Sequence, residues 1–295
     1  MIAIFGPTGV GKTEVAVELA GLLRARGDDP VAVSADALAV YEGLDVLAAK
    51  PDTTELEHRL VSCVPVDQEF SAGRFAALAH AEIDGLLAEG RTPVVVGGTG
   101  LYLRAALTDL DMRPPAEPGL REGLERELAT VGPEALHRRL SPGTAATVHP
   151  NDRKRIVRAL ELELGGSQPH SASDQLWSED LRRPAKLFGI VMEREALNAR
   201  IDARVREMLA GGAVEEVELA LERGASRTAR KALGFKEIEA HLAGEASLDE
   251  VQARITHGHR AYVRRQLTWM RKVRGVEIVD RTDLPARAVA ERIAA

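Results

Sequence analysis

The chain has 295 residues, of which 45% are hydrophobic and 28% are charged, a composition typical of a soluble globular protein and unlike that of a disordered chain. No apolar run approaches the roughly 20 residues that a membrane-spanning helix requires, so we expect no membrane partner. The net charge of −6 argues against a protein that binds nucleic acid through overall positive charge. The single cysteine excludes an internal disulfide, and we expect Cys63 to be a buried structural thiol.

The N-terminal residues predict a strand, a loop and a helix in immediate succession. Residues 2–5 are apolar and β-prone, and no charged leader precedes them, so we expect a cytoplasmic protein. The stretch GPTGVGKT follows at residues 6–13, and apolar residues at helical spacing then run to Gly27. This stretch fits the pattern G-x-x-x-x-G-K-[ST], and it lies where the pattern requires, after a strand and before a helix.

A loop of this kind binds phosphate groups. Backbone N–H groups of residues 8–13 would surround the phosphate at the helix N-terminus, Lys12 would add a positive charge, and the Thr13 hydroxyl could hold Mg²⁺. We therefore predict a phosphate site with Mg²⁺ as cofactor, the alternative being a glycine-rich turn that needs no ligand. The predicted phosphate-binding residues are Gly6, Pro7, Thr8, Gly9, Val10, Gly11, Lys12 and Thr13.

Short apolar segments separated by helical ones continue along the chain. They predict strands at 30–36, 93–97 and 186–192. This alternation predicts an α/β fold in which helices cover a parallel sheet and ligands bind at the carboxyl ends of the strands. Gly6, Asp36 and Thr99 fall at such ends.

Asp36 is the only obvious strand-terminal carboxylate near the glycine-rich loop. The strand VVVGG ends in glycines and Thr99, where an ordinary ATPase or GTPase would place an acid that helps to hold magnesium. Three roles are open for Asp36: a Mg²⁺ ligand, a general base, or a polar residue that satisfies N–H groups at a helix start. Spacing alone does not choose between them.

A segment of different character separates the third and fourth strands. It begins with the turn-rich MRPPAEPG, continues as charged helical sequence, and ends in a polar stretch at 165–175. We predict a helical insertion domain at 113–181. The α/β core would comprise residues 1–112 and 182–295, with helices at its C-terminal end.

Two short segments are markedly basic, NDRKRIVR at 151–158 and RRQLTWMRKVR at 264–274. Either segment alone is best explained as a solvated helix face, but the two together favour contact with a polyanion such as RNA. Aromatic residues make up 3% of the chain, and Tyr262 and Trp269 lie in or beside the second segment. They are core residues or stacking platforms, and we expect the core.

Five segments, in order along the chain, carry a resemblance to a known family. They are GPTGVGKT, SADALAVYEGLDVLAAKP, GRTPVVVGGTGLY, HPNDRKRIVRALE and RRQLTWMRK. Over residues 2–274 the chain resembles the tRNA dimethylallyltransferases. That resemblance implies transfer of a prenyl group from dimethylallyl diphosphate to the exocyclic amine of the adenosine beside the anticodon. It also implies Mg²⁺ as cofactor and the tRNA anticodon stem-loop as partner, and we expect a monomer.

The resemblance implies roles for individual residues. Asp36 would be the general base for the adenine amine, Lys12 and the loop would stabilise the departing pyrophosphate with Mg²⁺ at Thr13, and Thr99 would contact the target nucleotide. Asp36, Lys12 and Thr99 are thus the expected catalytic residues. The implied tRNA contacts are Asp36, Ala37, Leu38, Ala39, Thr99, Arg121, Lys154, Arg155, Arg158, Lys231, Lys236, Arg264, Arg265, Gln266 and Arg271.

The chain departs from the family pattern in one region. Ala37 stands where family members usually have serine, and Leu47 and Ala48 in LAAKP stand where they have the glycine and threonine of GTAKP. We expect these changes to alter the fine geometry of the prenyl pocket while the enzyme stays active.

Three other functions compete with this interpretation. A small-molecule kinase would use the loop for ATP and would have an arginine-rich lid and a compact chain. A prenyltransferase acting on free adenine nucleotides would have no use for a basic helical insertion. A tRNA-binding protein without catalysis is the third alternative, and only an assay distinguishes it.

Overall fold

The computed structural model describes most of the chain. The described residues are 1–110, 112–113, 117, 119–166, 176–177 and 180–295. The chain divides into two compact units, one of Met1–Asp109 with Ser178–Ala295 and one of Leu110–Trp177. The sequence predicts these divisions a few residues further along the chain. Most of the polar stretch predicted at 165–175 lies outside the described residues.

A six-stranded sheet forms the centre of the larger unit. Its strands are β1 (Ile2–Phe5), β2 (Pro30–Ser34), β3 (His58–Arg59), β4 (Thr92–Gly97), β5 (Lys186–Val191) and β6 (Val276–Asp280). The strand order is β3-β2-β4-β1-β5-β6, and every neighbouring pair is parallel. In the central strand, Ile4 pairs with Val96 on one side and Phe188 on the other. The predicted α/β class with a parallel sheet is confirmed.

The inner strands are the ones that the sequence predicts. Strands β1, β2 and β4 are almost entirely buried, so their sequences are continuous apolar runs with no polar alternation. The edge strands β3 and β6 were not predicted. Strand β3 has only two residues, and β6 exposes Glu277 and Ile278, so neither produces an apolar run.

Two positions differ from expectation. Asp36 lies beyond the last residue of β2, and so follows the strand without being part of it. Cys63 is an exposed free thiol, so the prediction of a buried cysteine is wrong. Its neighbour Val64 forms the bridge to Tyr41 and is buried, and successive side chains of extended backbone point to opposite sides.

Helices surround the sheet in the larger unit. They are α1 (Lys12–Arg24), α2 (Ala72–Ala88), α3 (Gly100–Leu107), α8 (Arg194–Ala210), α9 (Ala213–Glu222), α10 (Phe235–Leu242), α11 (Leu248–Met270) and α12 (Ala286–Ala294). Ser247 and Glu250 form a capping box that starts α11. Helix α12 packs against α1. Within the described ranges, no helix has the length and apolar character needed to cross a bilayer.

The smaller unit is helical, as predicted. Its helices are α4 (Leu120–Val131), α5 (Pro133–His137), α6 (Pro142–Ala145) and α7 (Arg153–Leu164). Asp152 caps α7 by accepting a hydrogen bond from the Arg155 N–H. The apolar faces of the helices meet in a core formed by Leu124, Leu128, Leu136, Leu140, Ile156, Val157, Ala159 and Leu160.

Candidate active site at the carboxyl edge of the sheet

The glycine-rich loop, residues 6–13, runs from the carboxyl end of β1 into α1. Gly9 and Gly11 have φ angles of +81° and +85°, in the left-handed region that favours glycine. A Cβ atom on Gly6 would lie 2.9 Å from the carbonyl oxygen of Ile190 in the neighbouring strand β5. The glycines therefore permit both the tight turn and the close approach of the loop to the sheet.

The N–H groups of this loop fall into two sets. The Thr8 N–H donates to Gln266 Oε1 at 2.9 Å, and the Val10 N–H donates to the Pro7 carbonyl oxygen at 3.4 Å. Four others, those of Gly9, Gly11, Lys12 and Thr13, donate to no acceptor in the part of the chain that the structure describes. For Gly11, Lys12 and Thr13 this is expected, because the first N–H groups of a helix have no preceding helical carbonyl group to bind. Fewer N–H groups are thus open to a phosphate than the prediction for residues 8–13 assumes, because those of Thr8 and Val10 already have partners.

Lys12 lies within the loop. Its Nζ atom donates to the Pro7 carbonyl oxygen at 2.9 Å, which holds the ammonium group beside the open amides. Burial lowers the pKa of Lys12 to about 8, an effect that the negative charge of Asp36 opposes and the positive charge of Arg204 reinforces. The pKa of Lys12 therefore lies close to neutral pH, and an anion bound in the loop would stabilise the charged form of its side chain.

Asp36 is half-buried at the same edge of the sheet. Its Oδ1 atom accepts hydrogen bonds from the N–H groups of Leu38, at 2.9 Å, and Ala39, at 3.4 Å. This is the turn-capping role left open by the sequence. The other carboxylate oxygen accepts no hydrogen bond from a described residue, so Asp36 keeps an oxygen that is available for a proton.

Thr99 and Tyr262 meet beside Asp36. The Thr99 hydroxyl lies 3.1 Å from Tyr262 Oη and 3.5 Å from the Ala37 nitrogen, which donates to it. Burial raises the pKa of Tyr262 to about 12, and the charge of Asp36 adds to the rise, so the phenol stays protonated. The Arg265 guanidinium lies 5.3 Å from the centre of the Tyr262 ring. Tyr262 is therefore part of this site and not simply a core residue.

The match to a protein family extends over most of the chain. The family model described as IPP transferase matches residues 39–273. The chain belongs to the IPP transferase family. The resemblance carried by the five sequence segments is thereby confirmed, although the glycine-rich loop and Asp36 lie before the matched span.

Relatives and solved structures agree with this membership. A tRNA dimethylallyltransferase from Anaeromyxobacter dehalogenans (strain 2CP-C) is 44% identical over 283 residues, which cover 94% of this chain and 93% of the relative. The crystal structure of a tRNA isopentenylpyrophosphate transferase from Bacillus halodurans is 32% identical with a TM-score of 0.71, and the match covers 99% of this chain and 93% of that one. A eukaryotic dimethylallyltransferase acting on tRNA has a TM-score of 0.73 at 24% identity, covering 96% and 74%, which shows a shared fold.

Arg204, on α8, also lies at this site, although the sequence did not predict it. Burial lowers the pKa of its guanidinium, while the charge of Asp36 raises it. Its charge also acts on Lys12, and no hydrogen bond joins it to any residue within the described ranges. A single arginine in RIDARVREML does not stand out in a helix of alternating charges, so only its place in the fold identifies it.

A groove of about 540 Å³ opens beside Arg204. Lys50 lies in its wall, where Nζ donates to Ser62 Oγ at 2.7 Å and pairs with the Asp45 carboxylate. Lys50 is thus held by its own neighbours, unlike Arg204. The groove is lined by Asp45, Val46, Ala49, Lys50, Pro51, Asp52, Thr53, Val61, Ser62, Arg204, Glu207 and Met208.

The departure from the family pattern at Leu47 and Ala48 lies next to this groove. The backbone N–H groups of Val46 and Leu47 donate to the carboxylate of Glu216 at 2.7 and 2.9 Å. The Leu47 side chain is buried, so it adds to the packing beneath the segment. Glu216 therefore holds the segment through its backbone, in addition to the packing of the Leu47 side chain.

Helix α11 and the residue after it carry four of the predicted tRNA contacts in the larger unit. Arg264 and Arg265 are exposed on it, and Arg271 is exposed just after its last residue. Gln266 is only 3% exposed, because its side chain turns inward to the glycine-rich loop. The three arginines are accessible to a nucleic acid, whereas the Gln266 side chain is not.

The remaining predicted tRNA contacts are divided between the two units. Lys231 and Lys236 are exposed close to the start of α10, and Lys154 and Arg155 are exposed at the start of α7. Accessibility alone makes these four residues compatible with phosphate contact.

Arg121 and Arg158, two residues of the smaller unit that were predicted to contact tRNA, bind a buried carboxylate. Arg121 Nη2 donates to Glu161 at 2.7 Å, and Arg158 Nη1 donates to the same carboxylate at 3.2 Å. Glu161 is buried, so the two guanidinium groups neutralise a charge that would otherwise destabilise the unit. Both arginines therefore have a structural role in addition to any contact with RNA.

Gln266 joins three elements. Its Nε2 atom donates to the buried Gly98 carbonyl oxygen at 2.8 Å, while its Oε1 atom accepts the Thr8 N–H. A Cβ atom on Gly98 would lie 2.4 Å from Nε2, so glycine leaves room for the amide. The side chain thus ties α11 to the glycine-rich loop and to the end of β4.

Replacing Gln266 with Leu should remove both hydrogen bonds and leave a buried carbonyl group unsatisfied. We expect a loss of about 1–3 kcal/mol in the free energy of unfolding, measured by chemical denaturation. The control is Gln252→Leu on the same helix, which should change stability by no more than about 0.5 kcal/mol. Equal stability of the two variants would contradict the bridging role.

Proposed function

We propose that this family member transfers a dimethylallyl group from dimethylallyl diphosphate to the N6 amine of the adenosine 3′-adjacent to the anticodon in tRNA, with release of pyrophosphate. The observation that carries the proposal is the meeting of open loop amides and Lys12 with the Asp36 carboxylate at one edge of the sheet. Family membership supplies the reaction class, and the relative from A. dehalogenans is named for this activity.

The reaction needs one bond broken, one bond formed and one proton moved. The C–O bond between the allylic carbon and the diphosphate breaks, and its electron pair leaves with pyrophosphate. The N6 lone pair forms the new C–N bond, and N6 then loses a proton to the enzyme. The site must therefore stabilise a growing negative charge on the diphosphate and accept a proton beside the adenine.

The glycine-rich loop suits the diphosphate. The N–H groups of Gly9, Gly11, Lys12 and Thr13 can donate to phosphate oxygens at the positive end of α1. The ammonium group of Lys12 and the guanidinium of Arg204 add two cations. These groups oppose the charge that develops as the C–O bond breaks, which is where stabilisation accelerates the reaction.

Magnesium fits this loop only as a complex with the diphosphate. Among the described residues there is no group of three or more His, Cys, Asp or Glu side chains that could hold a metal ion. The Thr13 hydroxyl at the start of α1 would supply one oxygen, and the diphosphate would supply others, which matches the preference of Mg²⁺ for substrate phosphates with some water retained. When bound, the ion would add positive charge to the leaving group.

Asp36 suits the role of general base. The adenine amine is a weak nucleophile because its lone pair is delocalised into the ring, so removal of its proton during attack assists the reaction. One Asp36 oxygen is fixed by the Leu38 and Ala39 N–H groups, and the other remains for the proton. Thr99 and Tyr262 lie beside it and would face the entering nucleotide.

A tRNA is the acceptor that best explains the exposed arginines of α11. Base extrusion from a stem-loop needs a surface that grips the backbone while one nucleotide enters the site. Arg264 and Arg265 follow Tyr262 on the same helix, so that surface would adjoin the reaction centre. A kinase or an enzyme for free nucleotides would not need it.

We also propose that the protein acts as a monomer in the cytoplasm.

Replacing Asp36 with Asn should abolish transfer and spare tRNA binding. The carboxamide keeps an oxygen for the Leu38 N–H but cannot take a proton, so kcat should fall by about 100-fold or more. The assay is prenyl transfer from labelled dimethylallyl diphosphate, alongside a tRNA binding titration. Asp67→Asn, at an exposed carboxylate, is the control. Activity of Asp36→Asn within a few-fold of wild type would refute the general-base role.

The kcat/KM for the donor should be highest below about pH 8 and fall above it. Lys12 is a cation below its pKa of about 8 and neutral above it, and the diphosphate requires the cation. A Lys12→Arg variant stays charged, so it should lose this decline even if its rate is lower. A decline of the same shape in both proteins would assign the titration to another group.

Removal of Arg264 and Arg265 together should weaken tRNA binding and flatten its dependence on salt. The slope of log affinity against log salt should fall by about 1 for each phosphate that the variant no longer neutralises. Arg254→Ala is the matched control, an exposed arginine earlier on α11 that faces Glu250. An unchanged slope in the double variant would remove this face from the tRNA interface.

A further inference from the structure

Arg281 is a buried arginine directly behind the glycine-rich loop. It follows β6 and is 4% exposed. It lies outside residues 39–273, which the family model matches, and outside the five segments of the family resemblance. The reaction described above does not use it, and burial of a cation requires compensating contacts.

Those contacts are all made with the loop and the first turn of α1. Arg281 Nη1 donates to the carbonyl oxygens of Val10, at 2.9 Å, and Gly11, at 2.8 Å. Its Nη2 atom pairs with the Glu14 carboxylate. A Cβ atom on Gly11 would lie 1.6 Å from Nη1, so the guanidinium occupies the space that any other residue at position 11 would need.

The planar peptide bond relates these carbonyl groups to the phosphate-facing amides. The Val10 C=O and the Gly11 N–H belong to one peptide unit, and the Gly11 C=O and the Lys12 N–H belong to the next. In a trans peptide the C=O and N–H groups point in opposite directions. Holding both carbonyl groups against Arg281 therefore directs the Gly11 and Lys12 N–H groups away from it, and both are open donors among the described residues.

We propose that Arg281 is a positioning residue for the diphosphate. It fixes the orientation of the Gly11 amide before the ligand binds, and it fixes that of the Lys12 amide together with the Val15 N–H, which donates to the same Gly11 carbonyl oxygen at 3.2 Å. The proposal rests on the proposed function in that it takes the ligand to be the diphosphate of the prenyl donor. Preorganised donors avoid the cost of ordering the loop when the ligand binds, so their effect appears in affinity for the diphosphate.

Glu14 completes the arrangement. Burial would raise the pKa of Glu14, but its hydrogen bond to Arg281 and the charges of Arg281 and Arg200 hold the pKa below its usual range. Glu14 is therefore ionised at neutral pH and neutralises much of the Arg281 charge. The contribution of Arg281 to diphosphate binding is then mainly geometric, through the two carbonyl groups.

The test is calorimetric binding of inorganic pyrophosphate with Mg²⁺ to wild type, Arg281→Ala and Arg281→Lys. We expect the Kd of Arg281→Ala to rise about tenfold, as expected for the loss of two oriented donors, and that of Arg281→Lys to rise less, since lysine can reach one carbonyl group. The matched control is Arg287→Ala, which removes another arginine that pairs from the C-terminal segment to a glutamate of α1, Glu18, and should leave the Kd unchanged.

A kinetic comparison separates positioning from a purely structural role. For Arg281→Lys the KM for dimethylallyl diphosphate should rise while the KM for tRNA and the melting temperature stay close to wild type. A similar worsening of both KM values with a lowered melting temperature would mean that Arg281 only stabilises the fold, and an unchanged pyrophosphate Kd in both variants would also overturn the proposal. If Arg281→Ala fails to fold, the Arg281→Lys result decides.

The binding experiment is independent of the transfer reaction. Weaker pyrophosphate binding by the Arg281 variants would support the inference even if no prenyl group were transferred to tRNA, which would refute the proposed function alone. Normal transfer by wild type with unchanged pyrophosphate binding by the variants would refute the inference alone.

Discussion

Every backbone polar group of the glycine-rich loop needs a hydrogen-bond partner in the protein, in water or in a ligand. The protein satisfies one side of the loop: Gln266 accepts the Thr8 N–H, and Arg281 takes the carbonyl groups of Val10 and Gly11. The other side keeps N–H groups at the start of α1 that are open toward a ligand. The architecture of the site follows from this division, because the hydrogen-bonded groups on one side of the loop fix the direction in which the open N–H groups on the other side point.

The charges around the loop favour an anionic ligand. Burial lowers the pKa of both Lys12 and Arg204, and the charge of Asp36 opposes that effect at each. A diphosphate would balance the two cations beside Asp36. In a site of low dielectric constant these interactions are stronger than in water, so a ligand of the wrong charge would bind poorly.

The sequence reveals those parts of the site that are local. The glycine-rich loop is a contiguous motif between a strand and a helix, and Asp36 follows a short apolar strand, so both could be predicted from neighbouring residues. The inner strands were predictable for the same reason, whereas the exposed edge strand β6 produced no apolar run. The family resemblance added Thr99, which spacing alone would have left as a strand-end residue.

The parts that were missed depend on interactions between residues far apart in the chain. Gln266 lies 258 residues from Thr8 and Arg281 lies 271 residues from Val10, so nothing in either local sequence indicates the loop. Gln266 illustrates the difficulty, since it falls within a basic segment and was predicted to contact tRNA, yet its side chain is buried. Arg204 was hidden by the regular alternation of charges along α8.

The decisive measurement is prenyl transfer by the purified protein. Purified protein with Mg²⁺ and radiolabelled dimethylallyl diphosphate would be incubated with unmodified tRNA bearing adenosine beside the anticodon, or with AMP. We expect label in the tRNA and none in AMP. Label in AMP, or no label in either acceptor from a protein that still binds tRNA, would contradict the proposed function.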